Sequence, residues 1–285
     1  MARASIPLLV TLCGSFVVTL VTSCGAEESP ADQAQATPAP KAIASLASGV
    51  PAPAPRPLPA ELKLVYREIL AQRYVRAREL ANQFLKSHPQ DAQALLMIGL
   101  SHFKADNHGA ARPFLERALE LAPDYYITHD YLAETLFLLG DLRGARQHFE
   151  AFGTFVPQEP KTYVRLGMID FEEGNLEHAA AHFHRALALF EELRVSNPRV
   201  HAGQSSELAG AHARLGDVHF ANGNYVQARD QWLEATRISP SNISAFFTLS
   251  LAYRRLGEDQ RADEALERYE SARRDIIEQQ RQGKR

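Results

Sequence analysis

The sequence has few of the residues that carry disulfide, metal or nucleic-acid chemistry. It holds 2 cysteines in 285 residues, so a disulfide-stabilised scaffold is excluded. The formal net charge is -3, and no lysine and arginine cluster supplies the positive surface that nucleic-acid binding requires. A phosphate-binding glycine loop, a nucleophile elbow and an HExxH zinc motif are all absent. We therefore expect a non-enzyme that binds no nucleic acid, cofactor or metal.

The most apolar stretch lies at the N-terminus and is typical of a targeting signal. Arg3 supplies a positive start, and the uncharged, mostly apolar residues 6–21 follow. This run is shorter than the ~20 residues that a membrane-spanning helix needs, and Pro7 disfavours a helix there. The pattern predicts a cleaved signal peptide over residues 1–23.

Cys24 directly follows this signal, in the sequence VTSCG. It could be a buried small residue, half of a disulfide, a reactive thiol or an attachment point. A cut before Cys24 removes Cys13 with the signal, which leaves no second cysteine for a disulfide.

Residues 21–24 resemble the bacterial lipobox, which is an aliphatic residue, two small residues and a cysteine. In that family the cysteine sulfur receives a diacylglyceryl group, so the resemblance implies that Cys24 is lipidated and anchors the chain to a membrane. The alternative is an ordinary secretory signal with a chance cysteine. Gly25 stands where an Asp tends to retain Gram-negative lipoproteins in the inner membrane, which implies the outer membrane, facing the periplasm.

Residues 24–57 predict a disordered tether after the anchor. This stretch has no aromatic residue, few charges and many alanines and prolines. Such a composition cannot bury enough apolar surface to offset the entropy of ordering. Its expected role is to hold a folded body away from the lipid surface.

From residue 58 onward the sequence repeats with a period of 34 residues. Alanines recur at Ala77, Ala111, Ala145 and Ala179, and again at Ala228 and Ala262. Prolines keep the same step at Pro89, Pro123 and Pro157, and glycine-bearing turns recur in phase. A fixed period of this length is the signature of a repeat architecture.

The repeat resembles the tetratricopeptide repeat (TPR), most clearly in LLMIGLSHFKADNHGAARPFLERALELAP (95–123) and HARLGDVHFANGNYVQARDQWLEATRISP (212–240). The resemblance implies an all-α fold, an α-solenoid of about six helix-turn-helix repeats. Their predicted bounds are 58–91, 92–125, 126–159, 160–193, 209–242 and 243–276, with a polar tail over 277–285. Small residues such as Gly99 would lie where paired helices approach, beside large ones such as Leu115, Phe183 and Trp232.

One insertion of 15 residues breaks the period between repeats four and five. We expect it to lengthen the second helix of repeat four and the first helix of repeat five. It is either a tolerated insertion or a lip that widens or closes the groove.

In the TPR family one stripe of the first helix of each repeat lines a concave groove. This groove stripe holds repeat positions 2, 5, 9, 12 and 13, which share a helix face. Its candidate partner-binding residues are Leu96, Leu100, Phe103, Asp130, Glu134, Phe137, Val164, Met168, Phe171, Asp217, Phe220, Phe247, Leu251 and Arg254.

The stripe has two interpretations that the sequence leaves open. Its phenylalanines either pack against the next repeat or form the floor of a hydrophobic peptide groove, and one ring can do both. Its charges are either solvated or select a partner of complementary charge. The lysines and asparagines with which some TPR proteins clamp acidic chaperone peptides are absent at positions 5 and 9, so that mode is not expected.

Two other groups of polar residues have spacings that could suggest metal binding or catalysis. His178 and His182 are four residues apart, a spacing that zinc ligands use, but no third ligand is placed beside them. His102, Asp170 and His219 occupy the inner position 11, where packing with a satisfied hydrogen bond is expected rather than catalysis.

The pattern favours a membrane-anchored adaptor or scaffold of the bacterial cell envelope that binds a protein or peptide in the groove. The layout is also similar to pilotins, the TPR lipoproteins that help secretins of type IV pili assemble, and to TPR lipoproteins that gather cell-wall hydrolases. A homo-oligomeric envelope component is a further alternative. Small-ligand binding inside the superhelix has no polar constellation to support it.

Overall fold

The computed structural model describes residues 57–240 and 243–282, which form helices joined by short connections, without a strand in those two stretches. The predicted signal peptide, Cys24 and almost all of the predicted tether lie outside the described residues. The helices are α1 (Ala60–Leu70), α2 (Tyr74–Ser87), α3 (Ala92–Lys104), α4 (His108–Leu121), α5 (Tyr126–Leu138), α6 (Leu142–Phe155), α7 (Pro160–Glu172), α8 (Leu176–Ser196), α9 (Pro198–Gly203), α10 (Ser205–Ala221), α11 (Tyr225–Ile238), α12 (Ile243–Arg255) and α13 (Asp259–Gln282).

These helices form six consecutive hairpins, which confirms the predicted α-solenoid. The pairs are α1–α2, α3–α4, α5–α6, α7–α8, α10–α11 and α12–α13, and each packs on the next pair along the chain. Their stacking follows from the sequence, because one amphipathic hairpin cannot bury its apolar face alone.

The turn inside each hairpin requires a left-handed backbone at one repeat position. Gly140, Gly174, Gly223 and Gly257 occupy it with φ between 75° and 81°. In repeats one and two the same position holds Gln72 and Asp106, at φ 59° and 54°. Repeats one and two therefore make the same turn as the others without the glycine that favours it.

In repeats two, four and five, the close approach of the two helices depends on a glycine that faces a large residue. A Cβ added at Gly99 would lie 2.8 Å from the Leu115 side chain, and one at Gly167 would lie 2.8 Å from the Phe183 ring. A Cβ added at Gly216 would lie 2.6 Å from Nε1 of Trp232. The predicted pairing of small and large residues is confirmed.

Apolar clusters join neighbouring hairpins into one stack. One cluster is shared by α1, α2 and α3, the next extends from α3 to α7, a third joins α7, α8 and α10, and the last joins α11, α12 and α13.

The second helices of the first three repeats each end two residues before a proline. These prolines are Pro89 after α2, Pro123 after α4 and Pro157 after α6. Each proline lacks the amide donor that would continue the helix.

The insertion lengthens two helices, as the sequence predicts. The second helix α8 has 21 residues, whereas the second helices α2, α4 and α6 have 14. The first helix α10 has 17 residues, whereas the first helices α3, α5 and α7 have 13. The added part of α8, residues 190–196, buries Phe190, and the short helix α9 connects it to α10. At the other end of the stack, α13 continues to Gln282, so most of the predicted polar tail is helical. Across the described stretches, every helix is too short or too polar to cross a bilayer.

Candidate protein-binding groove

The groove stripe lies along α3, α5, α7, α10 and α12, and the structure places its members at three depths. Leu96, Leu100, Glu134 and Val164 are buried; Phe103, Asp130, Phe137, Met168, Phe171, Asp217, Phe220, Phe247 and Leu251 are half-buried; Arg254 is exposed. The binding role of these residues stays a prediction. A partner can reach only the half-buried and exposed members without displacing others.

The buried leucines of the groove stripe pack in contacts between neighbouring repeats. Leu96 is 2% exposed in the cluster that extends from α3 to α7, and Leu100 is 5% exposed in the cluster shared with α1. First helices of adjacent repeats pack closely enough here to close the stripe over these leucines. The two leucines therefore hold the neighbouring first helices together beneath the exposed part of the stripe.

Three half-buried phenylalanines form a row across repeats two to four, which we call the aromatic row: Phe103, Phe137 and Phe171. The Phe103 ring meets Tyr131 of the next repeat edge-on at 5.7 Å between centroids. The Arg165 guanidinium of the next repeat lies 5.3 Å from the centre of the Phe137 ring. The packing interpretation therefore holds for these two rings, and their outer parts remain accessible beside Leu138, which is 50% exposed.

Phe220 and Phe247 differ from this row, because both pack inside their own repeats. The Phe220 ring lies 5.2 Å from Tyr225 and 5.5 Å from Trp232, both on α11. Phe247 contacts Tyr269 of α13 at 5.4 Å. These two rings are therefore fixed by contacts within single repeats.

A cross-repeat ion cluster lies beside the aromatic row. One oxygen of the buried Glu134 accepts a hydrogen bond from Nε of Arg165 at 2.8 Å and contacts Nζ of Lys161 at 3.0 Å. Burial alone would raise the pKa of Glu134, but the two cations outweigh it and the pKa is lowered. Glu134 therefore stays ionised and ties α5 to α7.

Asp130 lies one helical turn before Glu134, half-buried, on the same face. Burial raises its pKa, and the nearby Lys161 only partly offsets this effect. Its carboxyl group is suited to accept a hydrogen bond or a cation from a bound segment.

The charges in the C-terminal repeats are engaged internally. Asp217 accepts hydrogen bonds from Nε1 of Trp232 at 3.1 Å and from Arg214 at 3.1 Å, and burial raises its pKa. Arg254 donates to Asp263 at 2.8 Å. These contacts hold helices in place within their repeats.

Lys161 and Arg165 were missed by the sequence reasoning. Lys161 stands at stripe position 2 of repeat four, and Arg165 follows Glu134 by 31 residues. Opposite charges separated by nearly one repeat length were the signal that could have found them.

The inner position 11 holds a buried network in repeat four. Asp170 accepts from Arg146 of the preceding repeat at 2.8 Å and contacts Nδ1 of His182 at 2.6 Å. Asp170 therefore has the expected hydrogen bonds, and His182 is turned toward it while His178 is exposed. Among residues 57–240 and 243–282, no three side chains meet that could hold a metal ion.

The other two histidines at position 11 are partly buried. The His102 ring stacks on Phe114 at 5.7 Å, which is the expected packing. Burial lowers the pKa of both His102 and His219.

Comparison with protein families finds a match to a tetratricopeptide repeat model over residues 63–126 and 164–243, about half of the chain. Mouse protein O-mannosyl-transferase TMTC1 is 25% identical over 138 residues, which cover 45% of this chain and 14% of that protein. The BBSome complex member BBS4 homolog of Drosophila melanogaster is 23% identical over 199 residues, covering 68% and 39%. The chain thus spans well under half the length of these relatives.

Solved structures show the same fold at low identity. MamA aligns with a TM-score of 0.52 and 20% identity over 64% of this chain and 97% of that one. Pseudomonas aeruginosa pilF aligns at 0.58 and 15% over 72% and 87%. YrrB, described as a TPR protein with an unusual peptide-binding site, aligns at 0.51 and 15% over 69% and 94%. These identities carry the fold and no more.

Proposed function

This chain belongs to the tetratricopeptide repeat family, and we propose that it is a lipid-anchored adaptor of the bacterial cell envelope. The fold itself is a scaffold for protein and peptide partners. The observation that carries the groove assignment is the aromatic row, where three half-buried rings lie in successive repeats beside the exposed Leu138. Partly exposed aromatic rings that are fixed from behind are effective anchors for a partner, because little side-chain entropy is lost on binding.

The surroundings of the row favour a partner segment with apolar side chains and a donor group. Apolar side chains would cover the outer parts of Phe103, Phe137 and Phe171. A cation or amide of the partner would meet Asp130, whose raised pKa reports an under-solvated carboxyl group. Lys161 and Arg165 are already held by Glu134, so they shape the wall of the groove.

Substitution in the row tests this assignment. Phe137→Ala and Phe171→Ala are expected to weaken partner capture by about tenfold or more each, the usual effect of removing an aromatic anchor. Leu233→Ala is the matched control, because this exposed leucine lies on α11 outside the stripe. Circular dichroism checks that the helices remain. Equal capture by the row variants and the control would contradict the groove.

The membrane part of the proposal is supported by the sequence VTSCG and by the composition of the tether. Two or more acyl chains on Cys24 would anchor the chain stably, since each buried methylene contributes about 0.8 kcal/mol. Labelled palmitate should be incorporated by the wild type and not by Cys24→Ala. Equal labelling of both proteins would overturn the anchor.

We place the anchored chain in the outer membrane, facing the periplasm, because Gly25 follows the cysteine. Membrane fractionation on a density gradient should find the wild type with the outer membrane and Gly25→Asp with the inner membrane. An identical distribution of the two proteins would contradict this placement.

A further inference from the structure

The turn between α1 and α2 exposes aliphatic side chains in a cationic setting. Leu70 and Val75 are each 65% exposed. Residues 67–79, which we call the N-terminal tip, hold four arginines and two glutamates, a net charge of +2. Glu68 pairs with Arg73, and Glu79 pairs with Arg76. Within the described stretches Arg67 and Arg78 make no salt bridge, and Nη1 of Arg78 donates a hydrogen bond to Oγ of Ser101 at 3.5 Å.

The corresponding turns of later repeats lack this combination. At the positions of Leu70 and Val75, repeat two has Lys104 and Gly109, and repeat four has Glu172 and Glu177. Repeat three has the exposed Leu138 at the first of these positions but Arg143 at the second. Repeat five has Ala221 and Val226 there, in a turn that carries no such group of arginines. The repeat architecture therefore does not require exposed leucine and valine at this place.

An open cavity of about 440 Å³ lies at the tip. Its walls hold three arginines, the Tyr74 ring, one carboxylate and, from the next turn, Ala105. The arginines are Arg73, Arg76 and Arg78, and the carboxylate is that of Glu79, which pairs with Arg76. Guanidinium groups bind phosphate oxygens through paired hydrogen bonds, and the tyrosine hydroxyl can add another donor. A phosphate headgroup held there would leave Val75 directed toward the apolar part of the same lipid layer.

We propose that the N-terminal tip docks on an anionic lipid bilayer, with Leu70 and Val75 inserted among the lipids and the arginines on their headgroups. Apolar insertion combined with basic residues is the usual way in which a peripheral surface binds an anionic membrane. For its cellular setting the proposal rests on the membrane anchoring proposed above. The acyl chains would hold the body near the lipid, and the tip would fix which edge of the solenoid faces it.

Tip docking is tested without any acyl chain, so that its failure is distinguishable from failure of the anchor. Residues 24–285 carrying Cys24→Ala are mixed with vesicles of phosphatidylglycerol and phosphatidylcholine, or of phosphatidylcholine alone, and bound protein is measured by sedimentation. We expect binding to the anionic vesicles only, weakened by added salt.

Two tip variants and one matched control decide the location. Leu70→Asp and Val75→Asp should each weaken binding to anionic vesicles by about tenfold or more, since each removes an inserted side chain and adds a negative charge. Val226→Asp makes the same change at the equivalent position of repeat five, where valine is 46% exposed, and should bind like the parent protein. All three sites are exposed, and circular dichroism checks the fold.

The proposal would be overturned by equal binding to both kinds of vesicle, by unchanged binding of the tip variants, or by equal loss in the Val226→Asp control. Loss of protein capture by the tip variants without vesicle binding would assign the tip to a protein partner, and the bilayer proposal would be wrong.

Discussion

Two histidines that join the helices of repeat three predict a loss of stability in acid. Nε2 of the buried His129 lies 3.3 Å from the carbonyl oxygen of Pro123, which can only accept, so this nitrogen carries the proton. Nδ1 of His129 is then an acceptor, and Nδ1 of His148, 2.9 Å away, must donate to it. This arrangement requires a neutral His129 ring. A proton on Nδ1 of His129 would place two N–H groups against each other.

The electrostatic surroundings oppose protonation of either ring. Burial, followed by the proximity of His129, lowers the pKa of His148 to about 4, although Asp141 acts in the opposite direction. Burial also lowers the pKa of His129. Because the folded pKa is below the unfolded value, the unfolded chain binds more protons as the pH falls from about 6.5 through 4. Stability is therefore complete above about pH 6.5 and is lost progressively below it.

The size of the effect follows from this shift. With an unfolded pKa of about 6.5, His148 alone should lower the free energy of unfolding by about 2 kcal/mol between pH 7.5 and about pH 5. Urea denaturation at the two pH values measures this for the wild type and for His148→Gln, which keeps a donor but does not titrate. His178→Gln, at an exposed histidine of α8, is the matched control. The reasoning is refuted if His148→Gln loses as much stability on acidification as the wild type.

Three further substitutions test the packing and the turns, each by urea denaturation at neutral pH. Gln72→Gly should raise the free energy of unfolding by about 1 kcal/mol, because it relieves a left-handed backbone; no gain would show that the turn is unstrained. Gly216→Ala should lower the free energy of unfolding by about 1–3 kcal/mol, since the new methyl group meets the Trp232 ring. Gly109→Ala is the control, because a methyl group there has open space and should not destabilise the protein. Thr162→Val should raise the free energy of unfolding by about 1 kcal/mol, because the buried hydroxyl has no hydrogen-bond partner among the described residues; a loss would point to an unseen partner.

The helical-hairpin architecture could be predicted from the sequence, because each period of 34 residues contains the small and large residues that pack one hairpin. Gly167 and Phe183 show why, since the absent side chain makes room for the ring on the paired helix. The same logic located the insertion, where the extended α8 and α10 still bury Phe190 and Ala211 against each other's repeat.

The depth of the groove stripe could not be predicted in the same way. Helical periodicity places Leu96 and Phe103 on one face, yet the leucine is closed off and the ring is half open. That difference depends on how closely neighbouring first helices approach, which is a property of the stack and not of one repeat. The Glu134–Arg165 contact and the His129–His148 pair also depend on packing between helices, so neither was predicted.

The central claim is that the aromatic row binds a protein partner in the cell envelope. A photo-crosslinking residue placed at Leu138, beside the row, tests it directly in intact cells, with Val195 as the control because it is 71% exposed on α8. We predict a discrete crosslinked product from position 138 that Phe137→Ala abolishes and that position 195 does not form. No product from position 138, or the same product from both positions, would contradict the account.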